Sequence, residues 1–282
     1  MEEYFSELIV TAISLVCNVL TIGVYLYVEK LRNVIGKCLI SSLFWLSLLY
    51  IVMILDFTEQ FTNYLFEEFC INAIIFTYNL WNSVISFHLW KTLRSLSIEE
   101  PRHQFLKYSA FVWGTTAVLI AVDSLIKAIY DDNLSLWNIF KGIGCEPCFY
   151  ILLLFLNTAN LTMFILTGLH IRKIKKETKR FAQDKETMTT CLNFDIQQYL
   201  QLLRIFFIKG VCWILNTLYY FLDQLNYGYT VPDAVRYLLC GFGIIVFVLI
   251  ILKRSTFSLL MESIRENRIK LCSRAPRVVN PA

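Results

Sequence analysis

The residue types able to do chemistry are few in this chain, and most stand in apolar surroundings. Cys145 and Cys148 have the C-x-x-C spacing of a metal or redox pair. A zinc ion would need two more ligands, and no second His or Cys pair in the adjoining segments supplies them. Gly142-Ile143-Gly144 and Gly241-Phe242-Gly243 lack the strand-and-helix context of a nucleotide loop. With no nucleophile, metal or phosphate-cradling motif, the chain reads as a non-enzyme without cofactor or metal. What remains is polar residues in apolar runs. Asn79, Asn82, Ser83, Ser86 and Trp90 recur at spacings of three and four, which puts them on one helical face. Asn157, Asn160 and Asn216 add to them from two other runs. The set reads either as a buried polar network that rearranges between states or as ordinary interhelical hydrogen bonding, often worth under about 1 kcal/mol per bond. Lys209 lies roughly 13 Å into its run, and a lysine at that depth is either functional or snorkels to the interface. His88, near the end of its run, is either a neutral packing residue or a switch element.

These residues need elements to hold them, and composition says which. The 282 residues are 57% hydrophobic and only 17% charged, whereas a soluble domain averages about a quarter charged. There is too little polar material to clothe a soluble fold. A bilayer span takes about 20 mostly apolar residues. Seven runs qualify: residues 8–28, 38–55, 70–93, 109–129, 149–171, 201–222 and 234–252. They are too long for strands and lack the alternation of a β-barrel, so helices are the spanning element. The expected fold is all-α, a seven-helix transmembrane bundle. A soluble enzyme, a disordered chain and a nucleic-acid-binding domain are excluded. The first run has no basic segment before it and a basic linker after it, so it reads as an uncleaved span rather than a signal peptide.

Charge orients the bundle. The linkers after spans 1, 3 and 5, with the tail and Lys91 at the adjoining end of span 3, hold 21 of the 26 basic residues, while the opposite side holds only Lys141. Basic residues stay in the cytoplasm, which puts residues 1–7 outside and the tail, 253–282, inside. Asn133-Leu134-Ser135 is then an external glycosylation sequon. Cys70, Cys145 and Cys148 fall on the oxidising side, and one disulfide tying the long outer linker to span 3 fits them, with one cysteine left over. Asp123 and Lys127 have the i,i+4 spacing of a local ion pair. In the tail, Phe257, Leu260 and Ile264 share a face, as in a short amphipathic helix on the inner leaflet.

Several strings carry a family resemblance. LRNVIGKCL (31–39), WNSVISFHLWKTLR (81–94), FLKYSAFVWG (105–114), NLTMFILTGLHIRKIKKETKRFAQDKE (160–186), LNFDIQQYLQLLRIFFIKGVCWI (192–214) and CGFGIIVFVLIILKRS (240–255) resemble, in order, segments of the insect Methuselah-like G-protein-coupled receptors. These are a secretin-like, class B-related branch. The resemblance implies a multi-pass plasma-membrane receptor that relays an extracellular signal, with peptides among the candidate ligands, to a heterotrimeric G protein. It pairs Cys70 with Cys148, because Cys148-Phe149-Tyr150 is similar to the family's cysteine-aromatic pair before span 5. It makes His88, Lys209, Gly210 and Trp213 candidate switch residues. It also assigns the coupling face to Lys30, Arg32, Arg94, Arg172, Lys173, Lys175, Lys176, Arg204, Lys253 and Arg254.

Departures from the family pattern accompany it. His88 stands where an acidic residue is usual, Lys209 where an apolar one is, Cys240 where a Gln is, and Gly36 where the secretin-type His is. Family members carry a cysteine-rich ectodomain before span 1, and only seven residues precede it here. The chain is therefore expected to lack that ectodomain, with a truncated, signalling-dead isoform as the alternative. A channel or transporter is a more distant rival, since only Lys209 hints at a charged pore.

Overall fold

The structure, a computed structural model, describes residues 2–57, 64–95, 103–131, 145–181, 210–211, 213–215 and 233–274. Asn133, Arg204, Lys209 and Asn216 lie outside the described residues, as do the side chains of Arg94, Cys148, Lys175, Lys176 and Arg254. The described elements are all helical, with no strand among them. In chain order they are α1 (Glu2–Tyr27), a 3-10 turn (Glu29–Leu31), α2 (Val34–Phe57), α3 (Tyr64–Ser95), α4 (Gln104–Asp131), α5 (Cys145–Phe181), α6 (Asp233–Cys240), α7 (Phe242–Ile250) and α8 (Arg254–Arg274). Among the described residues, four stretches are long and apolar enough to cross a membrane: Phe5–Tyr27, Val34–Phe57, Gln104–Val122 and Phe149–Lys173.

Local chemistry sets the helix ends. Asn33 caps α2, its side-chain oxygen accepting the Gly36 N–H at 2.8 Å. Gly36 is itself a close approach, since a Cβ there would collide with the Leu31 carbonyl of the preceding turn. A histidine at this position would therefore not fit the turn. α5 starts with Glu146 and Pro147 in its first turn, where an acid suits the helix dipole and proline sacrifices no ladder bond. The described helices run past the expected spans at both ends, except that α1 stops at Tyr27 and α7 at Ile250, and most of the expected span 201–222 lies outside the described residues. The run at 234–252 is not one helix. It breaks at Gly241, whose ψ of 0° lies off the α-helical value.

α3 is the hub, packing on α2, α4 and α5, while α1 packs on α2, α6 and α7. Between Ile74 and Leu89 nearly every α3 residue is buried, including Phe76, Tyr78, Trp81, Ile85 and Leu89. A helix buried all round its middle has no lipid face to spare, and it takes the centre. α1 is organised the opposite way. Its buried positions are Glu7, Thr11, Ser14, Asn18, Thr21 and Tyr25, spaced four and three, while Phe5, Ile9, Ile13, Val16, Val19 and Leu20 are exposed. In a bilayer this inverted pattern is the favourable one. Lipid solvates the aliphatic face, and small polar residues let helix backbones come close.

Candidate functional site

Between α1, α2, α3 and the α6–α7 break lies a cavity of about 300 Å³. That is the small end of the range for ligand pockets. Leu46, Leu49, Met53, Ile71, Ile75, Leu239 and Phe242 make most of its wall, with Tyr50, Tyr78, Trp213 and Cys240 adding the polar edges. Two charges border it. Glu7 Oε1 lies 3.3 Å from Arg236 Nε, with the Glu7 side chain only 8% exposed and that of Arg236 39% exposed. One residue earlier, the Ser6 hydroxyl meets the Tyr237 hydroxyl at 2.5 Å. Together these contacts clasp the start of α1 to α6.

Tyr50 joins the cavity to the helix break. Its hydroxyl accepts the Gly243 N–H at 3.0 Å and donates to the Leu239 carbonyl at 3.3 Å. Residues 239 and 243 are four apart, the two ends of one rung of an α-helix ladder. The phenol from α2 thus sits inside that rung and satisfies both groups, as side chains inserted at kinks do. Gly243 is needed here for a second reason: a Cβ would collide with the Ser14 carbonyl of α1. The break therefore rests against α1 on one side and is bridged by α2 on another.

The residues singled out from sequence fall into several groups. Asn79, Asn82, Ser86, Asn157 and Asn160 are all buried. Their side chains mainly bond carbonyls of their own helices. Asn79 donates to Ile75 at 2.8 Å, Asn82 to Tyr78, Ser86 to Asn82 at 2.7 Å and Asn157 to Leu153 at 2.9 Å. Within the set, Asn82 reaches another helix, accepting from Ser42 of α2 at 3.1 Å. His88 is buried at the α3–α4 contact, where its Nδ1 lies 3.1 Å from the Tyr108 hydroxyl and 3.4 Å from Gln104 Nε2. Gln104 in turn donates to Tyr108 at 2.7 Å. That makes His88 part of a polar cluster with Tyr108 and Gln104 at the α3–α4 contact. Gly210 is buried, within van der Waals reach of Leu161 of α5, and Trp213 is a wall of the cavity. Lys30, Arg32, Arg172 and Lys173 are exposed. Lys30 pairs with Glu262 of α8 at 3.2 Å and Arg32 with Glu29 at 3.3 Å, so the first linker and the tail helix share a charged surface. Lys253 is half-buried just before α8.

Cys70 is a free thiol in this structure, and the side chain of Cys148, its expected partner, lies outside the described residues. α3 begins at Tyr64, which puts Cys70 well inside the helix rather than at its start, while Cys148 belongs to the first turn of α5.

Sequence reasoning passed over Glu7, Asn18, Ser42, Ser47 and Tyr50. Asn18 donates to the Leu43 carbonyl and to Ser47 Oγ, each at 2.8 Å, and ties α1 to α2. The signal was present. Thr11, Ser14, Asn18 and Thr21 keep a three-four-three rhythm inside a run otherwise read only for its hydropathy. Nothing comparable marked Tyr50, because its role depends on a helix break some 190 residues away.

Membrane-length helices packed round a small apolar cavity with a charged rim define a helical membrane protein. Sequence comparison narrows this. No protein-family model matches the chain. It is 38% identical to the probable G-protein coupled receptor Mth-like 7 of Drosophila melanogaster, over 89% of this chain and 54% of the relative. It is 40% identical to the probable G-protein coupled receptor Mth-like 12 of the same species, over 89% of this chain and 55% of the relative. The G-protein coupled receptor Mth of Drosophila yakuba is 38% identical over 92% of this chain and 53% of its own length. The chain belongs to the Methuselah-like receptor family, and it spans about half the length of the curated relatives it matches.

Proposed function

We propose that the chain is a seven-span plasma-membrane receptor, N-terminus outside and C-terminus inside, that relays an extracellular signal to a heterotrimeric G protein. The observation that carries this reading is the match, over about nine-tenths of the chain, to proteins named G-protein coupled receptors. The charge asymmetry of the linkers supports the orientation, and the apolar helices support the bilayer setting. Signalling then amounts to a population shift between two arrangements of the bundle, biased by whatever binds one of them better. The break at Gly241 is the natural place for such a rearrangement, since its rung is held by one side chain from another helix. The inner surface of Lys30, Arg32, Arg172, Lys173 and Lys253 is the proposed docking face. Glycosylation at Asn133 and a Cys70–Cys148 bond in the oxidised protein belong to the same reading.

The test is G-protein activation in cells at confirmed surface expression, comparing the chain, its Lys209→Met variant and empty cells. Output above the empty control is expected, low because no ligand biases the equilibrium. If neither form exceeds the control with any G-protein type, coupling by this chain fails. Epitope tags supply the orientation check, with an N-terminal tag expected to be reachable on intact cells and a C-terminal one only after permeabilisation.

A further inference from the structure

We propose that the cavity between α1, α2, α3 and α6–α7 is a binding site for a small apolar amine, with the Glu7 carboxylate as its anchor. This rests on the receptor reading for its biological use, but the binding itself stands on the cavity. Its walls are aliphatic and aromatic, which suits a ligand body of single-ring size. The sign of the ligand's charge follows from the asymmetry of the ion pair at the rim. Glu7 is the buried partner, its Oε1 accepting no hydrogen bond although it lies 3.3 Å from Arg236 Nε. Arg236 is the more exposed partner.

An ammonium group entering the cavity would offer Glu7 a hydrogen-bonding cation in exchange for the 3.3 Å contact with Arg236, whose side chain is the more exposed of the two. A carboxylate ligand would have to draw Arg236 away and leave Glu7 buried and unpaired, the costly outcome for a charge in a low dielectric. A neutral ligand would gain the apolar wall and nothing from Oε1. The site therefore selects cations over anions and neutral isosteres. The amine and Arg236 compete for one carboxylate, so occupancy loosens the clasp between α1 and α6 while Ser6 and Tyr237 still hold it.

The experiment uses the full chain in lipid nanodiscs, with thermal unfolding as the readout and no G protein present. The probes are 4-phenylbutylamine, 4-phenylbutan-1-ol and 4-phenylbutanoic acid. The amine is expected to raise the melting temperature in a saturable manner, the alcohol weakly and the acid not at all. Glu7→Gln should weaken amine binding by at least about 30-fold, the lower bound for removing one partner of a buried charge pair. Ile75→Trp, which fills the cavity and leaves Glu7 and Arg236 in place, should abolish the shift. A shift equal for all three probes, or one surviving in both variants, marks partition into lipid and overturns the proposal. So does the absence of any shift in a chain that unfolds cooperatively. A chain that binds the amine but never activates a G protein keeps the site and loses the receptor reading. A chain that signals but ignores the amine does the reverse.

Discussion

α3 and the α2–α7 contact both bury polar groups in the middle of the bundle, yet they use them differently. Along α3, Thr77, Asn79, Asn82, Ser83 and Ser86 each donate to the carbonyl four residues back. These bonds close within one helix and travel with it, so they resist little when helices move relative to one another, whereas single bonds between Ser42 and Asn82 and between Thr77 and Thr116 leave the helix. Across the α2–α7 contact, Tyr50 satisfies two backbone groups of another helix at once. Move α7 there, and a buried N–H and a buried carbonyl lose their partner together. Polarity in a membrane helix is therefore no guide to coupling between helices. What matters is whether the bond crosses.

Three substitutions test that contrast. The largest effect is expected from Gly243→Val, which drives a side chain into the Ser14 carbonyl. Both sides of the clash are backbone and cannot swing aside, so the cost should be about 3 kcal/mol, at the top of the range for overpacking. A sharp loss of heat-resistant, monodisperse protein in detergent is the expected readout, and an unchanged melting curve would mean α1 and α7 do not meet there. Tyr50→Phe keeps the ring and removes the bridge. Its expected cost is about 2 kcal/mol, the penalty for a buried backbone group left unsatisfied. Faster hydrogen exchange at Gly243 than in the parent would localise the loss. Ser86→Ala, equally buried, should change stability by less than about 0.5 kcal/mol, because its bond competes with a carbonyl already engaged in the ladder. If Ser86→Ala costs as much as Tyr50→Phe, the distinction between local and crossing bonds is wrong.

The same distinction explains what could be read from the sequence. Helical character was legible from run length and hydropathy, because a bilayer imposes both on any span. The burial of Asn79, Asn82 and Ser86 was legible from their spacing. Their partners were not, since spacing gives the face of a helix and says nothing about whether an amide turns outward or back on its own carbonyl. Glu7 falls just before the first expected span, at 8–28, whereas α1 begins at Glu2 and carries it into the bundle. The split of the last run at Gly241 was hidden by continuous hydropathy, since a backbone angle leaves no mark on composition. Tyr50 shows the limit most clearly. Its chemistry is ordinary, and only the geometry of a distant segment makes it a bridge.

The length of α5 has a consequence independent of how the chain is inserted. Its 37 residues make a rod about 55 Å long, against a hydrocarbon thickness of about 30 Å. The apolar part ends near Lys173, and the helix continues to Phe181 through a stretch rich in lysine and arginine. That continuation stands off the membrane as a stiff, positively charged spar. Any acidic partner at that surface would meet a preformed helix end rather than a loop that must first be ordered, so the entropic toll of docking there is already low.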